Sequence, residues 1–95
     1  MSAYVVVQIE VTDPVKFEEY KKMVSPTVES YGGRYLVRGG ITETLEGDWE
    51  PGRFVILEFP NSDKACAWWN SEEYQIPKGM RQSAARSSLI VAEGL

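Results

Sequence analysis

The stretch Arg53–Phe59 is apolar on both of its sides: Val55, Leu57 and Phe59 alternate with Phe54 and Ile56. A strand with one wet face should alternate cleanly between apolar and polar residues. The stretch Tyr4–Val11 departs from that rule in the same way, because Val5, Val7, Ile9 and Val11 share one face while Tyr4 and Val6 add apolar surface to the other. In the last strand Leu89 and Val91 oppose Ile90 and Ala92. Whatever sheet these strands form needs cover on two sides, and the helices available are few.

The helical signals are local and specific. Asp13-Pro14 supplies an N-cap oxygen followed by a proline suited to the first helical position. Phe17, Tyr20, Val24, Val28 and Tyr31 then recur at helical spacing. Pro26 disfavours helical geometry at Ser25, which predicts a kink or break, and Gly32-Gly33 closes the element. Arg34 to Arg38 reads as a strand, with Gly39-Gly40 as a bulge or close approach and Ile41 to Leu45 as a candidate continuation. Glu46 to Gly52 is the connecting hairpin loop, Arg53 to Phe59 the third strand, and Asn61 or Ser62 the cap of a second helix bearing Ala65, Trp68 and Trp69. Ser71 caps a further short turn through Tyr74, Pro77 and Gly79 punctuate the next stretch, and Ser88 to Glu93 is the last strand.

The order βαββαβ over residues 1–95 predicts one α+β domain of ferredoxin-like type, with a four-stranded antiparallel sheet and its helices on one face. A chain this short buries only about two-thirds of its unfolded surface. The second face is then best covered by another copy of the chain, which predicts a homodimer packed through its sheet faces. The alternative is a monomer with a mildly apolar open face.

Charge and composition remove several function classes. The net charge is -4, with ten Lys and Arg scattered among fourteen acids, so no basic face for nucleic acid is expected. The apolar run at the N-terminus is broken at Gln8 and Glu10, which argues against a signal peptide, and no stretch is long enough to cross a membrane. Cys66 has no intrachain partner, so a cytoplasmic protein is the default. It reads as a small buried apolar residue rather than a nucleophile. The chain has no histidine, which removes the commonest general base and metal ligand. No cofactor and no metal site are expected. Glu43, Glu46, Asp48 and Glu50 lack the spacing of a calcium loop and read as a solvated hairpin.

Several motifs run in order through the chain: Tyr20, Tyr31-Gly32-Gly33-Arg34-Tyr35-Leu36-Val37-Arg38-Gly39-Gly40, Glu46-Gly47-Asp48-Trp49, Arg53, Glu58-Phe59-Pro60, Ala67-Trp68, Ser71 with Tyr74-Gln75, Arg81 and Glu93-Gly94. Together they resemble the domain of unknown function 1330 family, within the dimeric α+β barrel superfamily. The resemblance implies a ferredoxin-like protomer and a dimer with facing sheets. Superfamily relatives include cofactor-free monooxygenases, lactone isomerases and haem proteins, so it implies no particular chemistry. Trp69, where relatives often carry tyrosine, and Ile76-Pro77, where they are more helical, depart from the pattern.

The candidate site residues each carry two readings. Arg38-Gly39 is a guanidinium fork beside exposed amides, suited to a carboxylate or enolate, or a bulge with a surface arginine. Glu58 is a proton-transfer base or one half of an ion pair with Arg38, Arg53 or Arg81. Trp68, Tyr20 and Tyr74 line a cavity for an apolar or aromatic acid, or simply fill the core. Arg81 closes the pocket over an anion, or binds a helix C-terminal carbonyl or an interface acid. The first set of readings describes a small-molecule binding protein or cofactor-free enzyme; the second describes a non-catalytic structural or regulatory dimerisation module.

Overall fold

The computed structural model describes residues Met1–Leu95. Strand β1 spans Ala3–Val11, helix α1 Pro14–Ser30, β2 Arg34–Arg38 and β3 Arg53–Phe59. Helix α2 spans Ser62–Asn70, α3 Glu72–Ala84 and β4 Ala85–Glu93. The strands form one antiparallel sheet in the order β2-β3-β1-β4, the ferredoxin-like arrangement expected from the alternation.

The sheet's two faces follow directly from parity along the strands. Val7 pairs with Val55 on one side and Leu89 on the other. Val5, Val7, Ile9, Val55, Leu57 and Phe59 therefore point together toward the helices, and all are buried. Tyr4, Val6, Gln8, Phe54, Ile56 and Glu58 point to the other face, where no helix lies and where each is half-buried. Ile90 shares that face and is 61% exposed.

Three helices rather than two cover the inner face. Asp13 caps α1, accepting from the Lys16 N–H at 3.1 Å. The helix then runs through Pro26 without a break. The proline is exposed, while Val24, Thr27 and Val28 bury the opposite side against the core, and Thr27 Oγ1 donates to the Val24 carbonyl at 2.6 Å. Tertiary burial here offsets the roughly 3 kcal/mol that an interior proline costs.

The expected short turn after Ser71 is instead the full helix α3, and Pro77 and Gly79 lie inside it. Ser71 joins the two helices. Its hydroxyl donates to the Trp68 carbonyl at 2.8 Å and accepts from the Tyr74 N–H at 3.2 Å. Glu72 and Glu73 at the start and Arg81 near the end suit the helix dipole. Tyr74, Pro77, Arg81 and Ala84 form its buried stripe, so the proline occupies a core-facing position. β4 consequently starts at Ala85, three residues before the expected Ser88.

The first hairpin and α2 also differ from expectation. The continuation of β2 through Ile41–Leu45 does not form; Ile41 and Leu45 are exposed on a connection without strand pairing. Cys66 is exposed on α2 rather than buried. Trp68 points inward and Trp69 lies at the rim, so adjacent tryptophans divide between core and periphery.

Candidate functional site

A bulge decides which arginines meet. Arg34 and Tyr35 pair with Glu58 and Leu57, but the register then slips, so that Val37 pairs with Ile56 and Arg38 with Val55. The expected bulge at Gly39-Gly40 therefore lies three residues earlier, at Leu36. Strict alternation would put Arg34 and Arg38 on one face. The extra residue leaves Arg34 outside and swings Arg38 to the helix side, beside Val55. Gly39 follows with φ of 71° and donates its N–H to the Phe54 carbonyl at 2.8 Å. A side chain there would meet the Arg53 guanidinium, so glycine serves both the backbone turn and the close approach.

Between α1, α3 and the inner face of the sheet lies a cavity of about 30 Å³, room for one or two waters. Its walls include Phe17, Tyr20, Val24, Leu57, Trp68 and Tyr74. The same cavity is lined by Lys21, Arg38, Arg53 and Arg81, and by no Asp or Glu. Four cations without a carboxylate, in a chain of net charge -4, are a local inversion of the overall balance.

Each cation is held differently. Arg38 donates to the Lys21 carbonyl at 3.1 Å and lies over the Tyr35 ring at 4.3 Å. Arg53 lies 5.4 Å from the Phe17 ring centroid, and its Nε has no hydrogen-bond partner in the protein. Lys21 meets Glu18 at 2.9 Å outside the cavity. Arg81 is 2% exposed. Its Nη1 donates to Ser87 Oγ, while Nε and Nη2 have no partner. Leaving charged donors buried and unpaired is costly.

The aromatic walls are tightly built. Trp68 stacks on Tyr74 at 4.1 Å, and its Nε1 donates to Thr27 Oγ1 at 3.1 Å. The Tyr74 hydroxyl is buried with no partner. Burial, followed by the neighbouring Tyr74, pushes the Tyr20 phenol far above its ordinary value; burial also raises Tyr35, against the pull of Arg38. These phenols stay protonated at neutral pH. The polar lining can donate hydrogen bonds and positive charge to an anion, but it supplies no general base.

Of the residues singled out from the sequence, the structure brings Tyr20, Arg38, Trp68, Tyr74 and Arg81 to this one cavity. Gly39 lies beside it, behind Arg53. Glu58 is on the opposite face of the sheet, and its partner is none of the arginines anticipated. Arg34 Nη2 meets its Oε1 at 2.7 Å and Arg34 Nε donates to the same oxygen, holding the carboxyl below its usual range. A base role for Glu58 in the helix-side cavity is excluded by that placement. Lys21, Tyr35 and Arg53 line the cavity without having been singled out. Arg53 was legible, because it shares parity with Val55, Leu57 and Phe59.

A family model described as a domain of unknown function, DUF1330, matches residues 2–95. No curated protein matches the chain. Among solved structures it is similar to RPA0582, a protein of unknown function from Rhodopseudomonas palustris, with a TM-score of 0.80 and 19% identity over 99% of this chain and 82% of that one. It is also similar to a dimeric ferredoxin-like protein of unknown function from Jannaschia, with a TM-score of 0.73 and 15% identity over 99% and 100% of the two chains. SnoaB, a cofactor-independent oxygenase from Streptomyces nogalater, matches at a TM-score of 0.64 and 10% identity, over 99% and 93% of the two chains. At these identities the likeness carries the fold.

Proposed function

The chain belongs to the DUF1330 family, and from that premise we propose that it is a homodimeric binding protein for a small apolar or aromatic organic acid, held in the helix-side cavity. The observation that carries this reading is the lining itself: Lys21, Arg38, Arg53 and Arg81 gather around apolar and aromatic walls with no acidic side chain among them. An entering carboxylate supplies the missing counter-charge, and its apolar body packs on Tyr20, Trp68 and Tyr74. The cavity is small as it stands, so a ring enters only as the half-exposed mouth around Lys21 and Tyr35 yields.

The dimer part of the proposal rests on the open sheet face, where Tyr4, Val6, Phe54 and Ile56 lie beyond the reach of any helix. Trp49 reaches over it from the β2–β3 connection, donating from Nε1 to Gln8 Oε1 at 2.6 Å and packing edge-on against Phe54 at 5.8 Å. With 57% of its surface exposed, this ring extends the apolar face rather than sealing it. The ninety-five residues act as one domain. The lone cysteine, without an intrachain partner, fits a reducing, cytoplasmic setting.

If the protein transforms its ligand without a cofactor, its contribution is to steady a developing oxyanion, because the lining offers donors and no base. The competing reading is a structural or regulatory dimerisation module, favoured by how little free space the cavity holds. A thermal-shift series with benzoate, phenylacetate, phenylpyruvate and pyruvate separates the two. At least one acid raises the Tm by several degrees on the binding reading; no shift with any of them leaves the module reading.

A further inference from the structure

The free edge of Arg81 is specific in shape as well as in charge. A guanidinium presents two side-by-side N–H pairs, and Nε with Nη2 forms one of them. In Arg81 those are the two nitrogens without a partner, while Nη1 is held by Ser87 Oγ. The side chain is 2% exposed and lines the cavity together with Tyr74, whose hydroxyl is also unpartnered and whose ring is fully buried. The Trp69 ring lies 5.9 Å from the Arg81 guanidinium carbon.

We propose that the Nε/Nη2 edge of Arg81 is the anchor for a planar monocarboxylate, bound side-on through two parallel hydrogen bonds, with the acid's apolar body packed along Tyr20, Trp68 and Tyr74. This rests on the acid-binding reading of the cavity and names the group that the cavity selects. Two parallel donors match two carboxylate oxygens in one plane. A primary amide offers only one acceptor there and brings an N–H against an N–H. Tetrahedral oxoanions present the same fork but carry further oxygens out of that plane, which the two parallel donors leave unpaired. Ser87 fixes the rotation of the guanidinium, so the edge is pre-set before ligand arrives.

The test uses the full chain and three acids, acetate, benzoate and phenylpyruvate, each titrated calorimetrically against its own primary amide, with benzenesulfonate and inorganic phosphate alongside. At least one acid should bind ten-fold or more tighter than its amide and tighter than either tetrahedral anion. Arg81→Lys, which keeps the charge and removes the edge, should weaken that acid about 10- to 100-fold. In the wild-type protein the Arg81 Nε–H resonance should move on addition of that acid, a readout that holds even where the variant fails to fold. An unmoved Nε–H signal with acid bound, or an Arg81→Lys variant that binds as tightly as wild type, overturns the Arg81 anchor and leaves the acid-binding cavity standing. Equal binding of acid and amide, or absence of binding by every acid, overturns both.

Discussion

On the helix side of the sheet, Arg38 shares a cavity with Arg53, Arg81 and Lys21 and meets no carboxylate; on the other side, Arg34 holds Glu58 at 2.7 Å. Both arginines belong to the same five-residue strand. Their separation is the work of one extra residue at the Leu36 bulge, which breaks the parity that would have kept them together. The outer arginine is satisfied by a neighbour on the sheet, with no ligand required. Within the inner group Lys21 meets Glu18 outside the cavity and Arg38 is exposed, which leaves the unpartnered nitrogens on Arg53 and Arg81. Unsatisfied charge concentrated on one side of a sheet, and paired charge on the other, is how this fold separates a candidate site from its scaffold.

Substitutions on the two faces should therefore fail in different ways. The largest effect is expected for Trp68→Ala, which removes a buried ring stacked on Tyr74 and should cost about 3–5 kcal/mol of unfolding free energy in a denaturant titration. Trp49→Ala, on the open side, should cost less than about 1 kcal/mol in the same experiment. Similar losses for both would erase the distinction between the faces. Next comes Ile56→Asp, which sets a charge in the middle of the open face. Light scattering at micromolar concentration should then return a monomer mass where wild type returns a dimer. A wild-type monomer would break the sheet-to-sheet pairing outright.

A sharper contrast lies within β2. Arg38→Ala should weaken acid binding about five- to ten-fold, with stability changed by less than about 0.5 kcal/mol, whereas Arg34→Ala should leave acid binding untouched. The smallest effects are those of pH. The ion pair keeps Glu58 ionised below the ordinary carboxylate value, so its contribution is present above that value and fades as pH falls through the lowered one. Glu58→Gln should flatten only this acid limb of a Tm–pH curve. Tyr20 is raised, so its contribution is full below the ordinary phenol value of 10.0 and is lost as pH climbs past it. Tyr20→Phe should flatten only the alkaline limb.

Much of the fold was legible because strand parity is a strong code. Val5, Val7, Ile9, Val55, Leu57 and Phe59 assign themselves to one face by alternation alone, and the structure buries all of them. Two prolines hid the full extent of the helices. Pro26 sits on the wet side of α1, where its ring disturbs no packing, and Pro77 belongs to the buried stripe of α3. Local propensity argued for an interruption in α1 and for only a short turn in place of α3, and tertiary burial overrode it. The site was legible as a set of residue types but not as a set of partners. Arg38 reaches the cavity only through a bulge that no residue at Leu36 announces, and Glu58 is disqualified by the same parity that placed Phe54 and Ile56 outside. Arg53 could have been found, since it continues the inward series of β3.

The central position of β1 has a kinetic consequence. Val7 is bonded into the sheet between Val55 and Leu89, so its strand can satisfy its backbone only after two long stretches of chain have closed around it. Each closure loses chain entropy before any pairing compensates for it. Refolding is therefore expected to be slower than for a helical bundle of equal length, with the β1–β3 and β1–β4 ladders acquiring hydrogen-exchange protection together rather than one after the other.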